Sequence, residues 1–315
     1  MHLYPDVNDE EKMNFTPLTV SDYNILKTYF EEQPYSLSIY SPAPLIAWST
    51  LNFRSRYAVV NEVLFIAGEP EDHPEDRHLI LPVSRGRVFL PSEMHRFASE
   101  LGFTQYWYAP GDYLDMLERS ELESFFSIEE QREFADYVYL TEDLIQLKGN
   151  KFSKKRNLIH QFSREYLRKG RVSVENIQQK HIDECLQFLD IWCSEHDCDV
   201  DQNSSLACEK AALITTLKNI EHFESIGILI RIDGAVSAFG IGSRLNRTTA
   251  TLNFEKAFSE IKGLYQFLDN ECSKRLFSEY QYINKESDMN LPNLAESKQS
   301  YNPVLRVKSF ALILR

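Results

Sequence analysis

Apolar positions recur at helical spacing in several segments and alternate in others. Residues 19–33 open on Thr19 and carry Tyr23, Leu26, Tyr29 and Phe30 on one face, which predicts a capped helix. Short apolar runs at 45–49, 57–61, 63–68 and 79–83 predict strands, with Asn61 and Glu62 turning the second into the third. EPEDHPEDR (69–77) reads as an acidic loop, 90–101 as a helix, 105–109 as a strand, and 120–134 as a polar helix. Beyond residue 140 the pattern is clearer. Ser153 caps a helix running to about Lys169, with Leu158, Ile159, Phe162 and Tyr166 on one face and Lys154, Arg156, His160, Arg164 and Arg168 on the rest. A strand at 171–177 and helices at 181–195 and 206–222 lead into GILIRIDGAVSAFGIG (227–242). There Asp233–Gly234 signals a hairpin, because a two-residue type I′ turn needs positive φ at both central positions. A strand at 248–254, a helix at 264–276, a strand at 281–284, a helix at 294–300 and a strand-pair region at 304–314 complete the chain.

This order predicts an α+β fold with mixed sheets, and it resembles the element order of an N-acetyltransferase-type (GNAT) domain. The first half follows a looser version of it. The expected architecture is two tandem GNAT-like domains, each a mixed β-sheet flanked by helices: a degenerate one over 1–140 and one over 141–315 that carries the site.

At 315 residues and 43% hydrophobic, the chain is long enough for two cores. Its apolar runs are far shorter than the roughly 20 residues of a membrane helix. The N-terminal MHLYPDVNDEEK lacks the pattern of a secretory signal. Five cysteines without a CxxC pair read as reduced thiols, so the chain is expected to be cytoplasmic. His181, Cys185, Cys193, His196, Cys198 and Cys208 fall close together, but Cys185 and Cys193 sit in a helical core pattern, so no metal is expected.

Charge divides the chain. Residues 1–140 hold 10 basic and 24 acidic residues, a net of −14, while residues 141–315 hold 24 and 23, a net of +1. Within the latter, residues 148–171 carry nine basic residues against Glu165. An acidic chain is a poor general binder of nucleic acid or membrane; a basic island in it points to one localised anion site.

Four stretches carry a closer resemblance: DYVYLTEDLIQLKGNKFSKKRNLIHQF (136–162), NFEKAFSEIKGLYQFLDNE (253–271), YINKESD (282–288) and LAESKQSYNP (294–303). They resemble the C-terminal catalytic region of phosphatidylglycerol lysyltransferases, over roughly residues 15–310 and most densely after 136. The resemblance implies a tandem GNAT fold akin to the Fem aminoacyltransferases. It also implies aminoacyl transfer from a charged tRNA to a hydroxyl or amine; in the lysyltransferases a membrane domain precedes this region and the acceptor is a lipid headgroup.

The residues suggest how such chemistry is divided. Lys262, Gly263 and Leu264 open the helix after the 248–254 strand, where free amides and the helix dipole favour a phosphate or ester oxygen. Lys154, Lys155 and Arg156 are the donor-phosphate candidates of the basic helix, the other reading being a solvated face. Aminoacyl transfer needs a proton acceptor, a partner for the tetrahedral oxyanion and a proton for the leaving oxygen. Glu255 or Asp288 is the candidate base, Lys256 or Lys298 the oxyanion partner, and Tyr265 or Tyr301 the proton donor. Asn253, with Tyr282, Asn284 and Glu286 alternating onto one strand face, would bind substrate. The donor is aminoacyl-tRNA or acyl-CoA, the acceptor a small molecule, lipid headgroup or peptide, and no tightly bound cofactor is expected. The other readings are an acyl-CoA-dependent N-acetyltransferase and a non-catalytic binding module on the same fold.

Overall fold

A computed structural model describes residues 14–50, 53–196, 198 and 205–315; the N-terminal segment read for a targeting signal lies outside them. The fold is α+β, built on two seven-stranded mixed sheets. The first sheet contains β1 (Thr16–Pro17), β2 (Phe53–Val60), β3 (Val63–Pro70), β4 (His78–Leu79), β5 (Gln105–Pro110) and β6 (Phe126–Glu130). The second contains β7 (Asp136–Leu140), β8 (Val172–Asn176), β9 (Ile226–Ile232), β10 (Ala235–Arg244), β11 (Thr249–Ala257), β12 (Tyr282–Asn284) and β13 (Leu305–Val307). The last strand, β14 (Ser309–Leu314), returns to the first sheet.

The strand orders are β1-β2-β3-β4-β5-β14-β6 and β8-β9-β10-β11-β12-β7-β13. Position by position the pairing senses agree. Only the fourth and fifth strands run parallel, β4 with β5 and β11 with β12; every other neighbour is antiparallel. Two GNAT-like halves therefore stand in tandem, and they exchange their sixth strands. β7 leaves the first half to sit between β12 and β13, and β14 leaves the second to sit between β5 and β6. The division at residue 140, drawn from the charge break, follows the chain but not the sheets. Val138 and Val307 accordingly pack into the first core.

The two hairpins form where turn chemistry allows. Asn61 and Glu62 (φ 50° and 63°) join β2 to β3, and Asp233 and Gly234 (φ 53° and 88°) join β9 to β10. Other expectations fail locally. Residues 45–49 are not a strand: Pro42–Ala47 is a buried helix with proline in its first turn. Residues 120–134 are not one helix but Arg119–Phe125 followed by β6, whose partner β14 is distant in sequence. Residues 304–314 are not a strand pair, since β13 and β14 belong to different sheets. Cys185 and Cys193 are buried in a core with Leu189 and Trp192, while His181 lies 3.5 Å from Glu175.

Helices Ser153–Glu165 and Leu264–Arg275 pack together on the second sheet through Phe162 and Phe267, whose ring centroids are 4.9 Å apart. On the opposite side, helices Ile182–Glu195 and Ser205–Lys218 pack through a separate core of buried residues.

Candidate active site

β11 and β12 stay together for only three pairs, Thr249 with Tyr282, Ala250 with Ile283 and Thr251 with Asn284. Beyond Asn284 the chain follows β7 instead. The Lys285 amide donates to the Tyr137 carbonyl (2.9 Å), and the Tyr137 amide donates to the Glu286 carbonyl (3.1 Å). β11 runs on to Ala257 paired with β10 but no longer with β12, so β11 and β12 splay and open a cleft of about 810 Å³. The equivalent parallel pair of the first half is filled: His78 on β4 stacks on Trp107 of β5 with ring centroids 4.4 Å apart. Burial pushes the His78 imidazole down to about 4, so it is neutral.

Of the residues singled out from sequence, Asn253, Glu255, Lys256, Tyr265, Glu286, Lys298 and Tyr301 line the cleft. Asn253 is the extra residue of a β-bulge, since Phe254 pairs with Ile241 and Leu252 with Gly242. Its side chain is fixed from both sides: Ser243 Oγ donates to it (2.8 Å), and its Nδ2 donates to Glu286 Oε1 (3.1 Å). Strand alternation does not deliver Glu286, because β12 ends at Asn284; a left-handed φ of 58° turns it. Lys298, on helix Pro292–Gln299, donates to the carbonyls of Lys285, Glu286 and Ser287 and so clamps this loop. Lys256 Nζ lies 2.8 Å from Glu209 and 4.0 Å from the Trp192 ring centroid.

Glu255 Oε1 is buried without a hydrogen-bond partner, and its Oε2 lies 3.5 Å from Lys285 Nζ. Burial, reinforced by Asp269 and opposed by Lys285, pushes its carboxyl up to about 7. Burial likewise pushes Glu286 up to about 8, while Asn253 and Lys298 oppose it. Burial lowers Lys298 to about 8 against the pull of Glu286 and Asp136. The Tyr265 hydroxyl is raised by burial and stays protonated at neutral pH.

The remaining candidates lie elsewhere. Tyr137 donates its hydroxyl to Asp288, which also faces Arg306 at 3.7 Å. Asn284 is fully buried and donates to Asp136 (2.8 Å), joining the halves, and Tyr282 packs against the first core. Arg156 donates to the Leu147 and Gly149 carbonyls at the end of helix Thr141–Gln146. Lys155 is buried with its ammonium 3.6 Å from the Tyr301 ring centroid, and burial lowers it to about 8. Lys154 and Lys262 are exposed. Gly263 and Leu264 are buried beside helix Ser153–Glu165 and do not line the cleft.

Sequence reading missed Lys285, Asp269, Glu209 and Trp48. Asp269 follows Tyr265 by four residues, which places both on one helix face. Lys285 lies between two singled-out residues, and strand alternation turned it to the wrong side. Trp48 comes from the first half and no local signal marks it.

Residues 91–313 match the family described as phosphatidylglycerol lysyltransferase, C-terminal. A conserved protein of unknown function from Bacteroides thetaiotaomicron is 27% identical with a TM-score of 0.84, over 96% of this chain and 100% of that one. The C-terminal domain of a protein assigned as a lysylphosphatidylglycerol synthetase from Agrobacterium fabrum shares the fold. Its TM-score is 0.63 at 14% identity, over 93% of this chain and 91% of that one. An uncharacterised protein of Mycoplasmoides gallisepticum is 21% identical over 202 residues, 63% of this chain, and the match spans 63% of the length of that curated relative.

Proposed function

Because the chain belongs to the phosphatidylglycerol lysyltransferase C-terminal family, we propose that it is an acyltransferase that moves an aminoacyl group from a charged tRNA to a hydroxyl or amine acceptor in the cleft beside β11. The observation that carries this reading is Glu255. Its carboxyl lines an open cleft, keeps one oxygen unpartnered and holds its proton up to about 7. A general base works best with a pKa near the operating pH.

In this reading Glu255 takes the proton of the attacking amine or hydroxyl as the new bond to the carbonyl carbon forms. The tetrahedral oxyanion meets Lys256, whose ammonium has the single ion-pair partner Glu209 among the described residues, whereas Lys298 is committed to three carbonyls. The ester bond to the ribose then breaks, and Tyr265 returns a proton to the departing oxygen. The donor carries the activated carbonyl, so no resident cofactor is required. A tRNA ester is favoured over coenzyme A, because Gly263 and Leu264, the turn suited to a pyrophosphate, are buried and do not line the cleft. No helix among the described residues is long and apolar enough to cross a membrane. We place the activity in the cytoplasm, where charged tRNA is available.

The test is transfer of radiolabel from aminoacyl-tRNA to a pool of amines and phospholipids, with acetyl coenzyme A as the parallel donor. Discharge of the tRNA with labelling of an acceptor is expected, reduced about 100-fold or more in Glu255→Gln. Transfer from acetyl coenzyme A alone would establish the thioester donor instead. No Glu255-dependent transfer from either donor would overturn the acyltransferase reading.

A further inference from the structure

Two charged side chains of the cleft wall, Glu255 and Lys285, meet a third, Asp269, buried behind them. Asp269 comes from helix Leu264–Arg275, Glu255 from β11 and Lys285 from the residue just past β12. Lys285 Nζ stands 2.9 Å from Asp269 Oδ2 and 3.5 Å from Glu255 Oε2. The lysine and aspartate side chains are only 10% and 3% exposed. The Lys285 backbone is pinned at both ends: its amide donates to Tyr137, and its carbonyl accepts from Lys298. The ammonium therefore stays between the two carboxylates.

We propose that Asp269, acting through Lys285, is the positioning residue that sets the charge state of Glu255; the inference rests on the acyltransferase reading of Glu255. Lys285 alone, desolvated beside Glu255, would hold it as a closed ion pair with little basicity. Asp269 takes the nearer contact and adds a like charge, so Glu255 keeps an oxygen free for a proton. The other titratable groups around Glu255 are known. Lys155 reaches in from helix Ser153–Glu165 over Tyr301. Tyr139 and Tyr301 present rings 5.9 and 4.7 Å from Lys285 Nζ. Tyr265 and Cys272, from the same helix as Asp269, both feel the Glu255 charge.

Two substitutions should move Glu255 in opposite directions. Asp269→Asn frees Lys285 to close on Glu255 and removes a like charge, and both effects favour the carboxylate. Lys285→Met leaves two carboxylates without their cation, which favours the proton. The experiment is a carbon-13 NMR titration of glutamate carboxyls in the full chain, with the Glu255 signal assigned by its loss in Glu255→Gln. The midpoint should fall by about one pH unit or more in Asp269→Asn and rise by a similar amount in Lys285→Met. Asp269→Glu should return it toward wild type, and the pH profile of transfer should move in the same directions. A midpoint that stays put, or moves the same way in both folded variants, overturns the proposal. If Lys285→Met does not fold, Asp269→Asn and Asp269→Glu decide it: a fall that Glu reverses supports the proposal, and no movement overturns it. If the midpoints move as expected while wild-type protein transfers nothing, the Asp269–Lys285 relationship stands and the acyltransferase reading falls.

Discussion

Gly263 backs onto the main-chain carbonyl of Leu158: a Cβ built on the glycine would stand 2.2 Å from that oxygen and 2.8 Å from its carbon. Its φ is +85°, where a side chain is strained whatever the space. Helix Leu264–Arg275 reaches helix Ser153–Glu165 this closely only because residue 263 has no side chain. Gly263→Ala should therefore cost about 2–5 kcal/mol from backbone strain and overpacking together, and Gly263→Val more. Thermal unfolding measures it; an alanine variant melting with the wild type would show that the close approach is dispensable.

The exchanged strands tie the halves together. β14 carries Leu312, fully buried in the first core, and bridges β5 to β6. Removing residues 309–315 should strip hydrogen-exchange protection from β5 and β6 while β10 and β11, paired within the second sheet, keep theirs. Equal loss in both sheets would mean that the halves unfold as one unit.

How much of this was legible in the sequence depends on the range of the signal. The two hairpins and helix Leu264–Arg275 rest on local periodicity and turn chemistry, so they could be read directly. The strand exchange could not, because β6 and β14 acquire their neighbours across 178 residues or more, as in the Gln131–Ser309 hydrogen bond. The site divides the same way. Glu255 follows directly on the strand read over 248–254, whereas Asn253 is set by a β-bulge and Glu286 by a left-handed residue, neither of which periodicity announces. Lys155 is grouped in the sequence with Lys154 and Arg156 as a donor-phosphate candidate; the structure buries it beside Tyr301, because that helix packs against helix Leu264–Arg275 on the second sheet.

Two neighbouring cations on one helix should behave differently. Lys154 is exposed and makes no ion pair within 4 Å among the described residues, whereas Arg156 donates to two carbonyls that end helix Thr141–Gln146. Reversing Lys154, together with Arg164 and Arg168, should weaken binding of tRNA at low salt and far less at high salt, with the melting temperature unchanged. Arg156→Glu should instead lower the melting temperature. Filter binding across a salt series and thermal unfolding separate the two. Unchanged tRNA binding by the triple variant at low salt would reduce the stripe to a solvated face.

The stability contributed by Glu255 and Glu286 should fall as pH rises from the ordinary glutamate range to about 8. Glu255 and Glu286 are pushed up to about 7 and 8 by burial, so the folded chain binds their protons more tightly than the unfolded chain does. The stability they contribute is complete below the ordinary glutamate pKa and is lost as pH climbs through those two values. Lys155 and Lys298 are depressed to about 8 and act with the opposite sign. Their burial penalty is complete below about 8 and lifts only above it, toward the ordinary lysine range, so it does not mask the fall. Glu286→Gln removes the carboxyl with the higher value while keeping an acceptor for Asn253. Its melting temperature should therefore decline less than that of the wild type between about pH 6 and 8, and the two profiles should differ by a curve centred on the Glu286 midpoint. Parallel pH profiles for the two proteins would show that Glu286 ionises as an ordinary solvated glutamate.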